Sequence, residues 1–386
     1  MPKSTKNKQI PVNTPVVSKE SVSFLMKAAK AGWISSSGPM VKEFEDSFAK
    51  FVGMKYGIAV SSGTAALHGA LLSLNIKKGD EVIVPAFTMA ACWLSILYVG
   101  AKPVFVDCDP ETYNIDPKKI EEKITSKTKA IMIVHIYGHP CDMDSISKIT
   151  KKHKLFLIED AAEAHGAEYK KQKCGSFGDI ACFSFYANKI IATGEGGMIL
   201  TNDEALAKKA RRYRDLCHSE EKRFVHDDIG YNYRFTNLQA AVGLGELKNI
   251  GKYIKKKLEI AKKYDAGLKN IEGLTLPITK PGNLNVYWMY SIVIDPEKFP
   301  VSKDKLRTIL DDEYGIGTRD FFYGPHEQPV LKEFLGQEGF PITEHIARNG
   351  FYLPSGLALT TKEIESVIKA VKAIAGKNQK KNKKNE

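Results

Sequence analysis

Lys189 has the clearest potential for chemistry in this chain, and its neighbours indicate which chemistry that is. It lies in the segment Phe183-Ser-Phe-Tyr-Ala-Asn-Lys189, directly before the glycine-rich run Thr193-Gly-Glu-Gly-Gly197. A lysine in a partly desolvated site has a lowered pKa, and its neutral amine can bond to an aldehyde and later move a proton. An arbitrary lysine would be solvated, but these flanking residues favour an attached aldehyde cofactor.

Asp160 ends an apolar run, residues 155–160, that is typical of a buried strand. A carboxylate at the carboxyl edge of a parallel sheet could pair with the protonated nitrogen of a pyridine ring. Taken alone, Asp160 would more readily be the N-cap of a helix that begins at Ala161. The lysine downstream favours cofactor binding instead.

Phosphate ligands complete this set. Ser61-Ser-Gly-Thr64 precedes a run of small and apolar residues, so it opens a helix whose first amides point outward. Serine and threonine also begin many helices for capping alone, so this signal depends on its companions. Together with Ser184 they predict a pyridoxal 5'-phosphate site, and hence an aminotransferase.

Two aromatic stretches leave their interpretation open. Residues 229–237 could belong to the site, or they could form an aromatic cluster at a subunit contact. In residues 321–329, His326 lies in a loop bounded by prolines, where it could meet a sugar hydroxyl or merely cap a turn.

The elements that must position these residues are predicted from hydrophobic periodicity. Continuous apolar runs, which indicate strands buried on both faces, occur at 81–85, 102–107, 130–135, 155–159, 180–184 and 197–201. Helix candidates lie between them at 64–74, 89–99 and 144–152. The order of strands and helices predicts an α/β fold with a mostly parallel sheet.

The predicted organisation is a large domain followed by a smaller one. The large α/β domain takes residues 10–245, including an N-terminal segment that packs back onto the molecule. A helical pattern at 240–265 predicts a helix that links the domains, and residues 246–376 form a small α+β domain with a strand at 288–294 and helices near 303–313 and 362–375. The basic tails, 1–9 and 377–386, are predicted to be disordered.

Composition excludes several classes of function. Seven of the twelve net positive charges lie in the two tails, so we expect a small anionic substrate and no nucleic-acid partner. The six cysteines form no CxxC pair and no zinc spacing, which predicts reduced thiols, no metal and a cytoplasmic location. Neither a signal peptide nor a membrane span is predicted.

Taken together, these residues resemble the sugar aminotransferases of the DegT/DnrJ/EryC1/StrS family, over about residues 10–374. Further shared motifs are Gly32-Trp-Ile-Ser35, Gly79-Asp-Glu-Val-Ile-Val-Pro85, Asp160-Ala-Ala-Glu-Ala-His-Gly166 and Gly350-Phe-Tyr-Leu-Pro-Ser355. The resemblance implies the type I fold of pyridoxal-phosphate-dependent transferases, which is aspartate aminotransferase-like. It also implies a homodimer with shared active sites, and pyridoxamine 5'-phosphate as the aminated form of the cofactor.

Within the family, local motifs resemble most the members that move an amino group from L-glutamate to C4 of GDP-4-keto-6-deoxy-D-mannose, giving GDP-perosamine for a surface polysaccharide such as O-antigen. These motifs are Tyr137-Gly-His-Pro-Cys-Asp-Met143, Gly230-Tyr-Asn-Tyr-Arg234 and Tyr287-Trp-Met289. A dTDP- or UDP-linked keto sugar, or amination at C3, stays open. A sugar dehydratase is disfavoured because such enzymes carry histidine in place of the lysine, and the intact site disfavours a non-catalytic binding protein.

The resemblance also assigns roles to individual residues. Lys189 would be the catalytic residue that holds the cofactor, Asp160 would face the pyridine nitrogen, and Glu163 would approach the phenolic oxygen. The phosphate ligands would be Gly63, Thr64 and Ser184, with Asn232 contributed by the partner subunit. The sugar-nucleotide ligands would be His326, Arg319, Trp33 and Tyr186.

Two positions depart from the usual family pattern. Met89 stands where relatives have an aromatic residue over the cofactor ring. A thioether can also cover a ring, although Phe87 or Trp93 could take that place after a local shift. Glu163 stands where many relatives have glutamine, and the members that make GDP-perosamine accept glutamate there.

Overall fold

The computed structural model describes residues 9–222, 224–336 and 339–376, so the predicted tails lie outside the described residues, apart from Gln9. The α-helices of this part are α1 (Lys19–Lys30), α2 (Pro39–Val52), α3 (Gly63–Ser73), α4 (Ala90–Tyr98), α5 (Met143–His153), α6 (Glu204–Arg214), α7 (Asn237–Lys248), α8 (Ile250–Leu268), α9 (Lys303–Tyr314), α10 (Pro341–Asn349) and α11 (Thr361–Gly376). The strands are β1 (Tyr56–Val60), β2 (Glu81–Pro85), β3 (Lys102–Val106), β4 (Thr128–Val134), β5 (Phe156–Asp160), β6 (Glu168–Tyr169), β7 (Gln172–Lys173), β8 (Ile180–Ser184), β9 (Gly197–Thr201), β10 (Leu274–Thr275), β11 (Asn283–Leu284), β12 (Tyr290–Ile294), β13 (Arg319–Asp320) and β14 (Gly350–Leu353).

The main sheet has the strand order β1-β9-β8-β5-β4-β2-β3. Pairing is parallel from β3 through β2, β4 and β5 to β8, whereas β9 is antiparallel to both of its neighbours. Strands β2, β8 and β9 are buried along their whole length, as their continuous apolar runs predict. The predicted α/β class with a mostly parallel sheet is confirmed.

This sheet brings the predicted cofactor ligands to one edge. Asp160 is the last residue of β5 and Ser184 is the last residue of the neighbouring β8. Because parallel strands end at the same edge, the two side chains lie near each other. Helix α3 begins at Gly63, just after β1, and contacts β8 and β9. Its N-terminus therefore reaches the same edge.

The predicted linking helix at 240–265 is wrong in one respect, because the structure has two helices there. Asn249 separates α7 from α8 with backbone angles φ −101° and ψ 0°. Its side-chain amide donates to the carbonyl of Gly245 and to the carboxylate of Glu20. Asparagine favours such local bonds over continuation of a helix, and the periodic apolar pattern did not reveal the break.

A smaller sheet, of strand order β10-β12-β14-β13, packs with α8, α9 and α11 around a separate hydrophobic cluster that includes Tyr264, Ile292 and Val367. The N-terminal segment contacts both parts, since the Ile10 amide donates to the Gly315 carbonyl while α1 packs on α7. The exact domain boundary stays a prediction.

All six cysteines are buried and free. Within the described ranges, we find no helix of the length and hydrophobicity needed to cross a bilayer.

Candidate active site

A cavity of about 500 Å³ opens at the carboxyl edge of the main sheet. It collects residues from the ends of β5 and β8, from the N-terminus of α3, and from β13 and β14 of the smaller sheet. The predicted site residues that line it are Gly63, Thr64, Met89, Asp160, Glu163, Ser184, Tyr186, Lys189 and Arg319.

Lys189 lies near the other charged groups of the cavity and is shielded from solvent. Its side chain is 11% exposed, and its Nζ lies 3.6 Å from the Glu163 Oε1. The same Nζ lies 3.6 Å from the centre of the Trp288 ring. Burial lowers the pKa of Lys189, while the charges of Glu163 and Asp160 oppose this shift. A neutral amine, the form that bonds to an aldehyde, is therefore favoured here more than at the surface.

Glu163 lies in the turns that follow β5, and both of its oxygens have defined neighbours. Oε2 accepts a hydrogen bond of 2.7 Å from the backbone N–H of Tyr137, and Oε1 faces Lys189. Burial raises the pKa of Glu163 to about 7, against the opposing influence of the Lys189 charge and of the N–H bond. This carboxyl group can therefore hold or release a proton near neutrality, next to the amine.

Asp160 is oriented by two hydrogen bonds. Oδ1 accepts from the N–H of Ala162 and Oδ2 accepts from the thiol of Cys92, each at 3.0 Å. The thiol also lies 3.1 Å from the hydroxyl of Thr88. Residues 161–167 form turns, so the alternative that Asp160 caps a helix beginning at Ala161 is wrong.

The opposite end of the cavity is suited to an anion. The Ser62 side chain caps α3 by accepting from the Ala65 N–H, and the amides of Gly63 and Thr64 belong to the first turn, where no helical carbonyl is available. A Cβ at position 63 would lie 2.8 Å from the Ser184 Cβ, so glycine is needed for this close approach. The helix N-terminus and the Ser184 hydroxyl thus lie together in a cradle whose chemistry suits a phosphate.

These residues fit pyridoxal 5'-phosphate. An anion cradle, a buried lysine and an oriented carboxylate match its phosphate, its aldehyde and its ring nitrogen. Of the three candidates for the ring face, Met89 lines the cavity and is 53% exposed, whereas Phe87 is fully buried and Trp93 is 6% exposed. Of these three side chains, Met89 is the one exposed in the cavity, and its place over the ring stays a prediction.

Three predicted residues do not line this cavity. Trp33 is 49% exposed, and its carbonyl accepts from the Asn237 side chain. Asn232 is exposed on the chain surface. The His326 ring lies against Phe340, with its Nε2 3.8 Å from a Glu327 oxygen. A role for Asn232 at a phosphate would require a second subunit.

The cavity also contains residues that the sequence analysis gave no role. Trp288 covers the Lys189 amine, and Asn188, Phe322 and Tyr352 complete the wall. The segment around Trp288 carried a local resemblance, but nothing in its spacing connected it to Lys189. That contact exists because the smaller sheet packs against the loop after β8.

Comparisons with known proteins agree with this geometry. The profile of the DegT/DnrJ/EryC1/StrS aminotransferase family matches residues 15–372. The chain belongs to this family. A relative from Escherichia coli O157:H7, named GDP-perosamine synthase, is 41% identical over 365 residues, which cover 94% of this chain and 98% of the relative. A relative of the same name from Vibrio cholerae is 39% identical with the same coverage.

Among solved structures, the aminotransferase TlmJ from Streptoalloteichus hindustanus is similar with a TM-score of 0.89 and 29% identity, covering 95% of this chain and 98% of TlmJ. Membership of the DegT/DnrJ/EryC1/StrS family confirms the predicted type I fold, the pyridoxal-phosphate cofactor and the class of nucleotide-sugar aminotransferase.

Proposed function

We propose that this protein moves an amino group from L-glutamate to C4 of GDP-4-keto-6-deoxy-D-mannose and so forms GDP-perosamine. The observation that carries the proposal is the likeness, across 94% of the chain, to relatives named GDP-perosamine synthase. The cavity supports it, since Lys189, Glu163 and Asp160 lie together beside an anion cradle.

The protein's own residues would hold the cofactor at several points. Asp160, in the orientation that Cys92 and Ala162 fix, would pair with the ring nitrogen and keep it protonated. Gly63 and the groups around it would bind the phosphate, and Met89 would cover one ring face. When bound, pyridoxal 5'-phosphate supplies an electron sink that allows a proton to leave the carbon bonded to nitrogen.

Lys189 would then act as the acid and base of both half-reactions. Its Nζ would remove the proton from the Cα of glutamate in the first half-reaction and pass it to the cofactor. In the second half-reaction it would deliver a proton from the cofactor to the sugar carbon C4, which carries none as a ketone. Because the amine is confined between Glu163 and Trp288, protons move on one face, and this fixes the configuration at C4. Glu163 favours the ammonium form when ionised and the free amine when protonated.

The sugar-nucleotide side is less enclosed. Arg319 and Tyr186 lie at the cavity, and the exposed guanidinium of Arg319 suits a diphosphate. We propose that His326 and Trp33 contact more distant parts of the nucleotide sugar. We also propose a homodimer in which Asn232 reaches the phosphate of the partner's cofactor.

The test is mass spectrometry of the products formed from GDP-, dTDP- and UDP-linked 4-keto-6-deoxy sugars with glutamate and cofactor. We expect an amino sugar from the GDP substrate, none with Lys189→Ala, and normal product with Lys148→Ala, a change at an exposed lysine on α5. Preferential amination of a dTDP or UDP sugar would overturn the substrate assignment. An active Lys189→Ala enzyme would overturn the mechanism.

A further inference from the structure

Lys257, on α8, is a deeply buried lysine whose partners are neutral. It is 2% exposed, and its Nζ donates to the backbone carbonyls of Trp288, at 2.7 Å, and Ser355, at 2.5 Å. Burial lowers the pKa of Lys257 to about 7. A methionine of similar length would fill the same space without the desolvation penalty, but it would leave both carbonyls without this donor, so the ammonium group is tied to these two carbonyls.

Trp288 is held in place by hydrogen bonds at three of its groups, and the carbonyl that Lys257 binds is one of them. The backbone N–H of Trp288 donates to the Tyr137 carbonyl, and its indole Nε1–H donates to the Asn188 carbonyl, both at 2.8 Å. Asn188 directly precedes Lys189, and the indole ring lies over the Lys189 amine. Trp288 thus connects the smaller sheet to the amine at the centre of the cavity.

The chain enters Trp288 in a strained conformation. Tyr287 has a φ of 47°, in the left-handed region that non-glycine residues rarely adopt. Such strain persists where surrounding contacts hold the backbone in place. The hydrogen bond from Lys257 to the carbonyl of Trp288, the next residue, is well placed to hold this backbone conformation.

The second carbonyl that Lys257 binds belongs to the same structural unit. Ser355 follows β14, its Oγ accepts from the N–H of Tyr290 in β12, and its N–H donates to the Val12 carbonyl. Lys257 therefore connects the segment just before β12 with the segment just after β14.

We propose that Lys257 is a positioning residue for the amino transfer, which holds the Trp288 carbonyl so that the indole ring stays over the Lys189 amine. This inference rests on the role proposed above for Lys189. Lys257 acts through Trp288 and does not itself touch the substrate or the cofactor.

The first experiment compares Lys257→Met with Lys255→Met, a matched change at an exposed lysine of the same helix. Because a small displacement of a catalytic group slows the reaction strongly, we expect kcat to fall at least about tenfold in Lys257→Met. The Tm should fall modestly, because the Trp288 and Ser355 carbonyls lose a buried donor, and KM for glutamate should change less than kcat. With kcat measured well below the Tm of both variants, a kcat within twofold of the control, or a KM for glutamate that rises as much as kcat falls, would overturn the proposal.

The second experiment repeats the change in a Trp288→Ala background. If Lys257 acts through the indole ring, Lys257→Met has little further effect on kcat there. An equal fold-loss of kcat in the wild-type and Trp288→Ala backgrounds would refute the proposal that Lys257 acts through Trp288.

A third measurement requires no activity. Hydrogen exchange in the cofactor-free protein should become faster in residues 285–290 of Lys257→Met than in the control, and equal exchange would count against the contact.

If wild type and Lys255→Met aminate no sugar, the proposed function fails. If they are active and Lys257→Met behaves like them, this inference alone fails.

Discussion

Replacing Glu163 by glutamine should change how the stability of the cofactor-free protein depends on pH. Burial raises the pKa of Glu163 from 4.5 to about 7 in the folded protein. The folded state therefore binds a proton that the unfolded state has already released between these two values. The stability that this group contributes is complete below pH 4.5 and is lost as pH rises through 7.

The size of the effect follows from that shift. Each tenfold change in acidity corresponds to about 1.4 kcal/mol, so ionising Glu163 in the folded protein costs about 3 kcal/mol above pH 8. Glutamine carries no charge and avoids this penalty. Lys189 increases this stability difference between variant and wild type. Without the Glu163 carboxylate, the buried Lys189 ammonium loses its proton more easily as pH rises, which further stabilises the variant at high pH.

Urea unfolding of the cofactor-free protein, at one protein concentration and several pH values, measures this directly. We expect Glu163→Gln and wild type to differ little at pH 5, and the variant to be more stable by about 3 kcal/mol above pH 8. Glu122→Gln, at an exposed position, is the matched control and should show the same difference from wild type at both pH values. A constant difference between Glu163→Gln and wild type from pH 5 to 8.5 would refute the reasoning.

Three further substitutions test separate parts of the site. Gly63→Ala places a Cβ 2.8 Å from the Ser184 Cβ, so a cofactor titration should show affinity lowered by about tenfold or more, and unchanged affinity would contradict the cradle. Glu159→Ala leaves His135 and three backbone N–H groups without their buried acceptor, so the free energy of unfolding should fall by about 3 to 5 kcal/mol. A loss below about 1 kcal/mol would argue against a stabilising role of the Glu159 carboxylate. Met89→Ala should weaken cofactor binding by a few-fold without lowering Tm, since the side chain is 53% exposed, and equal binding would remove Met89 from the ring face.

Much of the site could be predicted because its residues lie at the ends of regular elements. Asp160 and Ser184 end apolar runs that the sequence identifies as strands, and Gly63 begins a helix with a clear capping signal. Parallel strands bring their ends to one edge, so local patterns were enough to predict that these residues lie together.

Other features depend on contacts between distant segments and carry no local signal. Trp288 and Lys257 become important because the smaller sheet and α8 pack against the loop that holds Lys189. Lys257 lies at helical spacing between Tyr253 and Ala261 of the buried face, but the many exposed lysines of the same helix obscured this signal. The break at Asn249 was missed for a related reason, since the apolar periodicity continues across it while side-chain bonds end the helix.

The most direct test of the account is to identify the residue that carries the cofactor. Borohydride reduction makes the bond between lysine and cofactor permanent, and peptide mass spectrometry then locates it. We predict that the cofactor mass is found on Lys189 and that it is absent from Lys257, although that lysine is also buried and has a lowered pKa. Modification of another lysine, or of none after incubation with cofactor, would contradict the account.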